Sequence, residues 1–141
     1  MVHAKSLATE DLIAAMELGD FYASSGVILN EVHLEKNTIV IEIAAEPGCS
    51  YVTEFIGTRR GYDPSSNPVL GKKGETLRVT RQYSADIGAT LATVKGTSAS
   101  YTFAGDELYV RARITSSKTK PNASSDGEFE RAWTQPMMPR S

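Results

Sequence analysis

The chain has 141 residues, 40% hydrophobic and 23% charged, enough to bury one core and too few for two globular domains of ordinary size. Fifteen Lys and Arg against seventeen Asp and Glu leave a formal charge of -2, so no global cationic field exists to hold nucleic acid or anionic lipid, and no nucleic-acid partner is expected. No apolar stretch approaches the roughly 20 residues of a spanning helix, the opening MVHAKSLATED lacks a signal-peptide core, and Cys49, the only cysteine, excludes an intrachain disulfide and a cysteine-based zinc site.

Thr9 followed by EDLIAAMEL predicts a helix over residues 10–18, with the Thr9 hydroxyl as its cap and early acids facing the positive end of the dipole. Leu12, Ile13 and Met16 share one face at helical spacing, and Gly19 supplies the left-handed residue that ends such a helix. A helix this short must dock on something. After Gly26 the hydrophobic period changes to 2, and β-branched and aromatic residues alternate with Gly, Pro, Asn and Asp turns. Strands are predicted over residues 27–35, 38–45, 51–59, 76–83, 90–95, 99–103, 108–116 and 130–135. Lys36-Asn37 fits a two-residue hairpin turn, and Gly105-Asp106 is expected to close a hairpin between SASYTFA and ELYVRARIT. In the latter strand Leu108, Val110, Ala112 and Ile114 are expected inside, with Tyr109, Arg111, Arg113 and Thr115 outside. Residues 62–74 and 117–127, rich in Pro, Ser, Gly and Asn, read as long connections. The whole describes a mainly β chain, an Ig-like antiparallel β-sandwich of about seven or eight strands preceded by one short N-terminal helix.

The run LATEDLIAAMELGDFYASSGV resembles the segment that closes the catalytic domain of PHP-type (polymerase and histidinol phosphatase) metal-dependent phosphoesterases, a short helix leading into a Gly-x-x-Tyr-x-Ser stretch. Here that stretch holds Gly19, Phe21, Tyr22, Ala23, Ser24 and Gly26. FIGTRRGYDPSS, YSADIG, GTSASYTFAGDELYVRARITSSK and AWTQP are similar, in the same order, to the β-rich region that follows the metal-binding domain in one branch of that family. The resemblance implies that residues 1–26 are the tail of a phosphoesterase domain and residues 27–141 a β-sandwich accessory domain. It also implies divalent metal ions held by the parent's catalytic domain, and that domain as this chain's partner. The family's His-x-His and Asp-x-His ligand motifs are not in this sequence, so no catalytic or metal-binding residue carries over and the chain itself is expected to be non-catalytic, without a cofactor. In the absence of that domain, Leu12, Ile13 and Met16 offer an apolar patch for a homodimer.

Three constellations remain. Glu31, His33 and Glu35 share one face of the first predicted strand if Val32 and Leu34 point inward, which would offer ligands to a divalent cation or simply a solvated face. Arg59, Arg60, Lys72, Lys73, Arg78 and Arg81 make the middle third basic; with Tyr62 they form a candidate anion or ligand patch, since Arg forks suit phosphate and carboxylate. The alternative to the accessory role is accordingly a carbohydrate- or anion-binding Ig-like module. Trp133, the only tryptophan, is expected to plug the space between sheets; the other use of its ring is an aromatic platform for a sugar or partner, with Tyr51, Tyr83, Tyr101 or Tyr109 beside it. Cys49, after Pro47-Gly48, has no base neighbour and reads as structural or incidental. No nucleophile elbow or phosphate loop is present, and the sequence assigns no cellular compartment.

Overall fold

The computed structural model describes residues 1–139, with only the backbone path described at Arg78 and Val79. One helix, α1 (Thr9–Leu18), opens the chain. Its cap differs from expectation: Thr9 is already helical, and the N-cap is Ala8, which has no capping side chain. Ser6 does that work from outside the helix, its Oγ accepting the Ala8 N–H at 3.1 Å and donating to Asp11 at 2.5 Å. The far end follows the sequence reading. Gly19 adopts φ 78° and the N–H groups of Gly19 and Asp20 return to the carbonyls of Met16 and Ala15, a closure that only a residue tolerating positive φ makes without strain.

Ten strands follow: β1 (Tyr22–Ser24), β2 (Leu29–Glu35), β3 (Thr38–Ile43), β4 (Tyr51–Arg59), β5 (Ser66–Leu70), β6 (Thr76–Tyr83), β7 (Ala89–Lys95), β8 (Ser98–Thr102), β9 (Glu107–Thr119) and β10 (Phe129–Thr134). All eight strands read from the sequence are present, and β1 and β5 are added to them. They form a five-stranded sheet in the order β1-β10-β9-β4-β7, a three-stranded sheet β2-β3-β8, and a separate pair β5-β6; every pairing is antiparallel.

The two larger sheets make a sandwich because each has one apolar face. Ile39, Ile41 and Ile43 of β3 and Ala99 and Tyr101 of β8 face Phe55, Val110, Ala112 and Ile114 of β4 and β9 in one continuous buried cluster. Phe55 and Tyr101 meet across the layers with ring centroids 5.4 Å apart. Burying an aromatic or aliphatic side chain of this size stabilises by about 1.5–3 kcal/mol, so this cluster dominates the fold. Three buried tyrosines add directional bonds at its margins. The Tyr22 hydroxyl on β1 accepts the Leu29 N–H on β2 at 3.0 Å, the Tyr51 hydroxyl on β4 accepts the Glu46 N–H just after β3 at 3.0 Å, and the Tyr101 hydroxyl on β8 donates to Glu107 on β9 at 2.6 Å.

Several local expectations are corrected by this topology. Gly105-Asp106 does not close a hairpin: β8 belongs to the small sheet and β9 to the large one, so the turn is a corner between layers. Leu108 is 40% exposed, whereas Glu107 is fully buried. The cause is an irregularity in the β4-β9 ladder, where Thr58 pairs with Tyr109 but Arg59 pairs with Glu107; the extra residue shifts the parity of everything before it. Residues 62–74 are not wholly a connection, since 66–70 are β5, a strand whose Pro68 tolerates sheet geometry because it lies in a two-stranded pair. β9 runs on to Thr119, shortening the second expected loop.

The β5-β6 hairpin is inserted between β4 and β7, which are themselves hydrogen-bonded neighbours. Leu70 and Leu77 stay exposed on it, and the Asp63 N–H donates to Asp86 at its base. Replacing residues 64–84 by a short Gly-Ser turn is expected to leave the melting temperature within about 4 °C, a change of under about 1 kcal/mol for a chain of this size, as read by differential scanning calorimetry. A loss of the cooperative transition would show that the arm is part of the core unit.

Candidate functional site

The corner between β8 and β9 gathers a buried polar cluster around Glu107. Leaving one sheet for another strands backbone N–H groups that no ladder can pair. Glu107, at the first position of β9, answers this: its carboxylate accepts the N–H of Ala104 at 3.1 Å, the N–H of Gly105 at 3.0 Å and the Tyr101 hydroxyl at 2.6 Å. Arg59, across the ladder on β4, stands 3.6 Å from the same carboxylate and pairs with Asp106. Burial alone would raise the Glu107 pKa, but the hydrogen bonds from Tyr101, Ala104 and Gly105 outweigh it and bring the group down to about 2. Burial, with the bond to Glu107, pushes the Tyr101 hydroxyl up to about 12. The pair is thus a fixed carboxylate and a fixed donor at neutral pH.

Beside this corner lies a shallow pocket of about 270 Å³, lined by Arg59, Arg60, Gly61, Tyr62, Asp86, Ala89 and Leu91. The structure therefore brings together Arg59, Arg60 and Tyr62 of the basic patch and adds Asp86. It does not add Arg81, which lies on β6 and spends its guanidinium on Ser66, with Nε to the hydroxyl at 2.7 Å and Nη2 to the carbonyl at 2.8 Å. The side chain of Arg78 lies outside the described residues. Within the pocket the two arginines differ: Arg59 is committed to Asp106 and Glu107, whereas Arg60 forms no ion pair among the described residues.

The other constellations sort as follows. Glu31, His33 and Glu35 all lie on the exposed face of β2 while Val32 and Leu34 pack toward the core, with His33 Nδ1 3.8 Å from Glu31. Among the described residues no group of three or more His, Cys, Asp or Glu side chains gathers to hold a metal ion. Both histidines border a larger groove of about 460 Å³, in which His3 and Asp20 join Phe21, Met137 and Met138. Cys49 is free and half-buried against the core. Trp133 is not the expected plug: Ala132 and Thr134 take the inward positions of β10 and Trp133, half-buried, points to the other face of the large sheet. Tyr51 and Tyr101 are core residues and so no companions to its outward ring, whereas Tyr83 is exposed and Tyr109 half-buried.

At α1 only Ala15 is fully buried. Leu12 is partly covered, and Ile13, Met16 and Leu18 are 51%, 55% and 77% exposed. No helix among the described residues is long and apolar enough to cross a membrane. Glu107, the best-supported site residue, carries no sequence motif; it is an acid at a strand start whose inward direction follows only once the ladder irregularity is known. No protein-family model, curated protein or solved structure matches this chain.

Proposed function

We propose that this chain is a non-catalytic accessory domain of a PHP-like metal-dependent phosphoesterase, a β-sandwich that supports or positions a catalytic domain lying N-terminal to it. The observation that carries the reading is the face of α1. A helix in a small domain is held chiefly by the apolar stripe it buries, yet Ile13 and Met16, neighbours on one face at i, i+3 spacing, stand in solvent while the core is complete without them. Such a stripe fits the flank of a neighbouring domain, and α1 is the element that the family resemblance places at the domain boundary. The sandwich supplies the rigid base, and the β5-β6 arm, with Leu70, Leu77 and Tyr83 exposed, gives a second surface that the same neighbour could cover. When bound in that neighbour, divalent metal ions would supply the phosphoester chemistry; this chain would contribute contact and orientation.

The test is phosphomonoesterase and phosphodiesterase activity of this chain, with and without added Mn²⁺ or Zn²⁺, beside a version extended at its N-terminus through the metal-binding domain that this reading requires. Activity is expected only in the extended protein, and Ile13→Asp/Met16→Asp is expected to lower the extended protein's melting temperature while leaving that of the short chain unchanged. Metal-dependent activity in the short chain would overturn the reading.

A further inference from the structure

The outer face of the large sheet carries an arrangement that the accessory role leaves unused. The strand registers place Ala23, Trp133, Arg113, Glu54 and Thr93 in one row across five strands, β1 to β7. At strand spacings of about 4.8 Å, the stretch from Trp133 to Thr93 is roughly 14 Å long. Arg113 and Glu54 are locked together, Nε and Nη2 each 3.0 Å from a carboxylate oxygen. The pair is still 38% and 25% exposed at its side chains. The cross-strand neighbour of Trp133 on β1 is the small, exposed Ala23. The result is a pre-set row of aromatic ring, hydrogen-bond donor, acceptor and hydroxyl.

The rows on either side are cationic. Arg131 and Lys95 lie at the two ends of one, paired through Thr115 and Val52, and Arg111 lies in the other beside Ile56. Glu54 is the one acid among the outward residues of these paired strands, and it is already matched by Arg113. An excess of three positive charges thus sits on one face of a chain whose formal charge is -2. The Nε of Arg131 is buried with no hydrogen-bond partner, a donor of the kind usually satisfied in native structures.

We propose that this face binds an acidic polysaccharide, one sugar ring stacking on Trp133, its hydroxyls shared between Arg113, Glu54 and Thr93, and its carboxylate or sulfate groups meeting Arg111, Arg131 and Lys95. A ring stacks on an indole through its apolar C–H face, and hydroxyls require both donors and acceptors, which this row supplies. Nucleic acid fits less well, because Glu54 stands in the middle of the row where phosphates would have to pass.

The sole tryptophan makes the test direct. The full chain is titrated with polygalacturonate, a neutral glucan and a single-stranded oligonucleotide, with Trp emission and gel retardation as readouts. Polygalacturonate is expected to shift the emission saturably; the glucan is expected to bind at least tenfold more weakly. Trp133→Ala should weaken retardation at least tenfold and Trp133→Phe less than threefold, and Arg111→Ala/Arg131→Ala should weaken binding and flatten its dependence on salt. Trp133 lies off the core, so the variants are expected to keep the parent's circular dichroism. Three results would overturn the proposal: no binding of polygalacturonate, equal retardation by the oligonucleotide, or retardation unchanged in Trp133→Ala.

Discussion

Glu107→Ala is expected to remove about 2–4 kcal/mol of folding stability, measured by urea denaturation at pH 7 and compared with Glu107→Gln at about half that loss. The carboxylate is fully buried and serves four partners at once: Tyr101, Ala104, Gly105 and Arg59. Truncation orphans the buried Tyr101 hydroxyl outright and takes the acceptor from the part-buried N–H groups of Ala104 and Gly105 and from the half-exposed Arg59; a buried donor left unpaired costs about 1–3 kcal/mol, and groups that water can reach cost less. Glutamine keeps one oxygen and the volume, so part of the network survives. The same residue sets a pH dependence. Its pKa is about 2 in the folded protein against an ordinary 4.5, so the folded state prefers the ionised form. Its contribution is full above the unfolded value, fades as pH falls from 4.5 toward 2, and is worth up to roughly 3 kcal/mol. Acid unfolding should therefore be shifted in Glu107→Gln, with a shallower loss of stability across pH 4.5 to 2 than in the parent. An unaltered acid profile would show that Glu107 is not the group responsible.

Gly57→Ala is the second large effect, with an expected loss of about 3 kcal/mol, at the upper end for overpacking by one methyl. Gly57 lies in β4 between β7 and β9. A Cβ there would run into the Tyr109 carbonyl, a backbone atom that cannot rotate aside, and would sit 2.9 Å from Leu91 Cδ1 and 3.2 Å from Val110 Cγ2. Relief requires β4 to part from β9 in the centre of the sheet. Gly61→Ala makes the contrast, because its Cβ meets nothing within 4 Å but its φ is +77°, so only backbone strain of about 1 kcal/mol is expected. If thermal melts place the two variants together, the steric account of Gly57 fails.

Much of the fold was legible because alternation of apolar and polar residues survives any tertiary arrangement. The isoleucines of β3 and the Val110-Ala112-Ile114 series of β9 point inward as their period requires. What could not be read was which sheet each strand joins. SASYTFA-GD-ELYVRARIT has the local grammar of a hairpin, but grammar fixes the reversal of the chain and not its partner, and the β3-β8 and β4-β9 pairings are long-range choices. The parity error at Leu108 and Glu107 has the same origin, since a bulge leaves no mark in composition. β5 was hidden by Pro68 and its polar neighbours, and Trp133 by the general habit of large rings to go inside. Of the basic patch, the adjacency of Arg59, Arg60 and Tyr62 was visible in the sequence; the pairing that immobilises Arg59 depends on Asp106, forty-seven positions away.

The three tyrosine hydroxyls at the edges of the core carry a consequence for how the layers are aligned. Apolar contact is indifferent to direction, and two greasy faces could slide by a side chain's width with little loss of area. Tyr22, Tyr51 and Tyr101 each tie one layer to the other through a single bond of fixed length and angle, and they do so from different parts of the margin. Together they behave as dowels between two boards: the glue is the hydrophobic core, while the pegs choose the one offset at which the boards are glued.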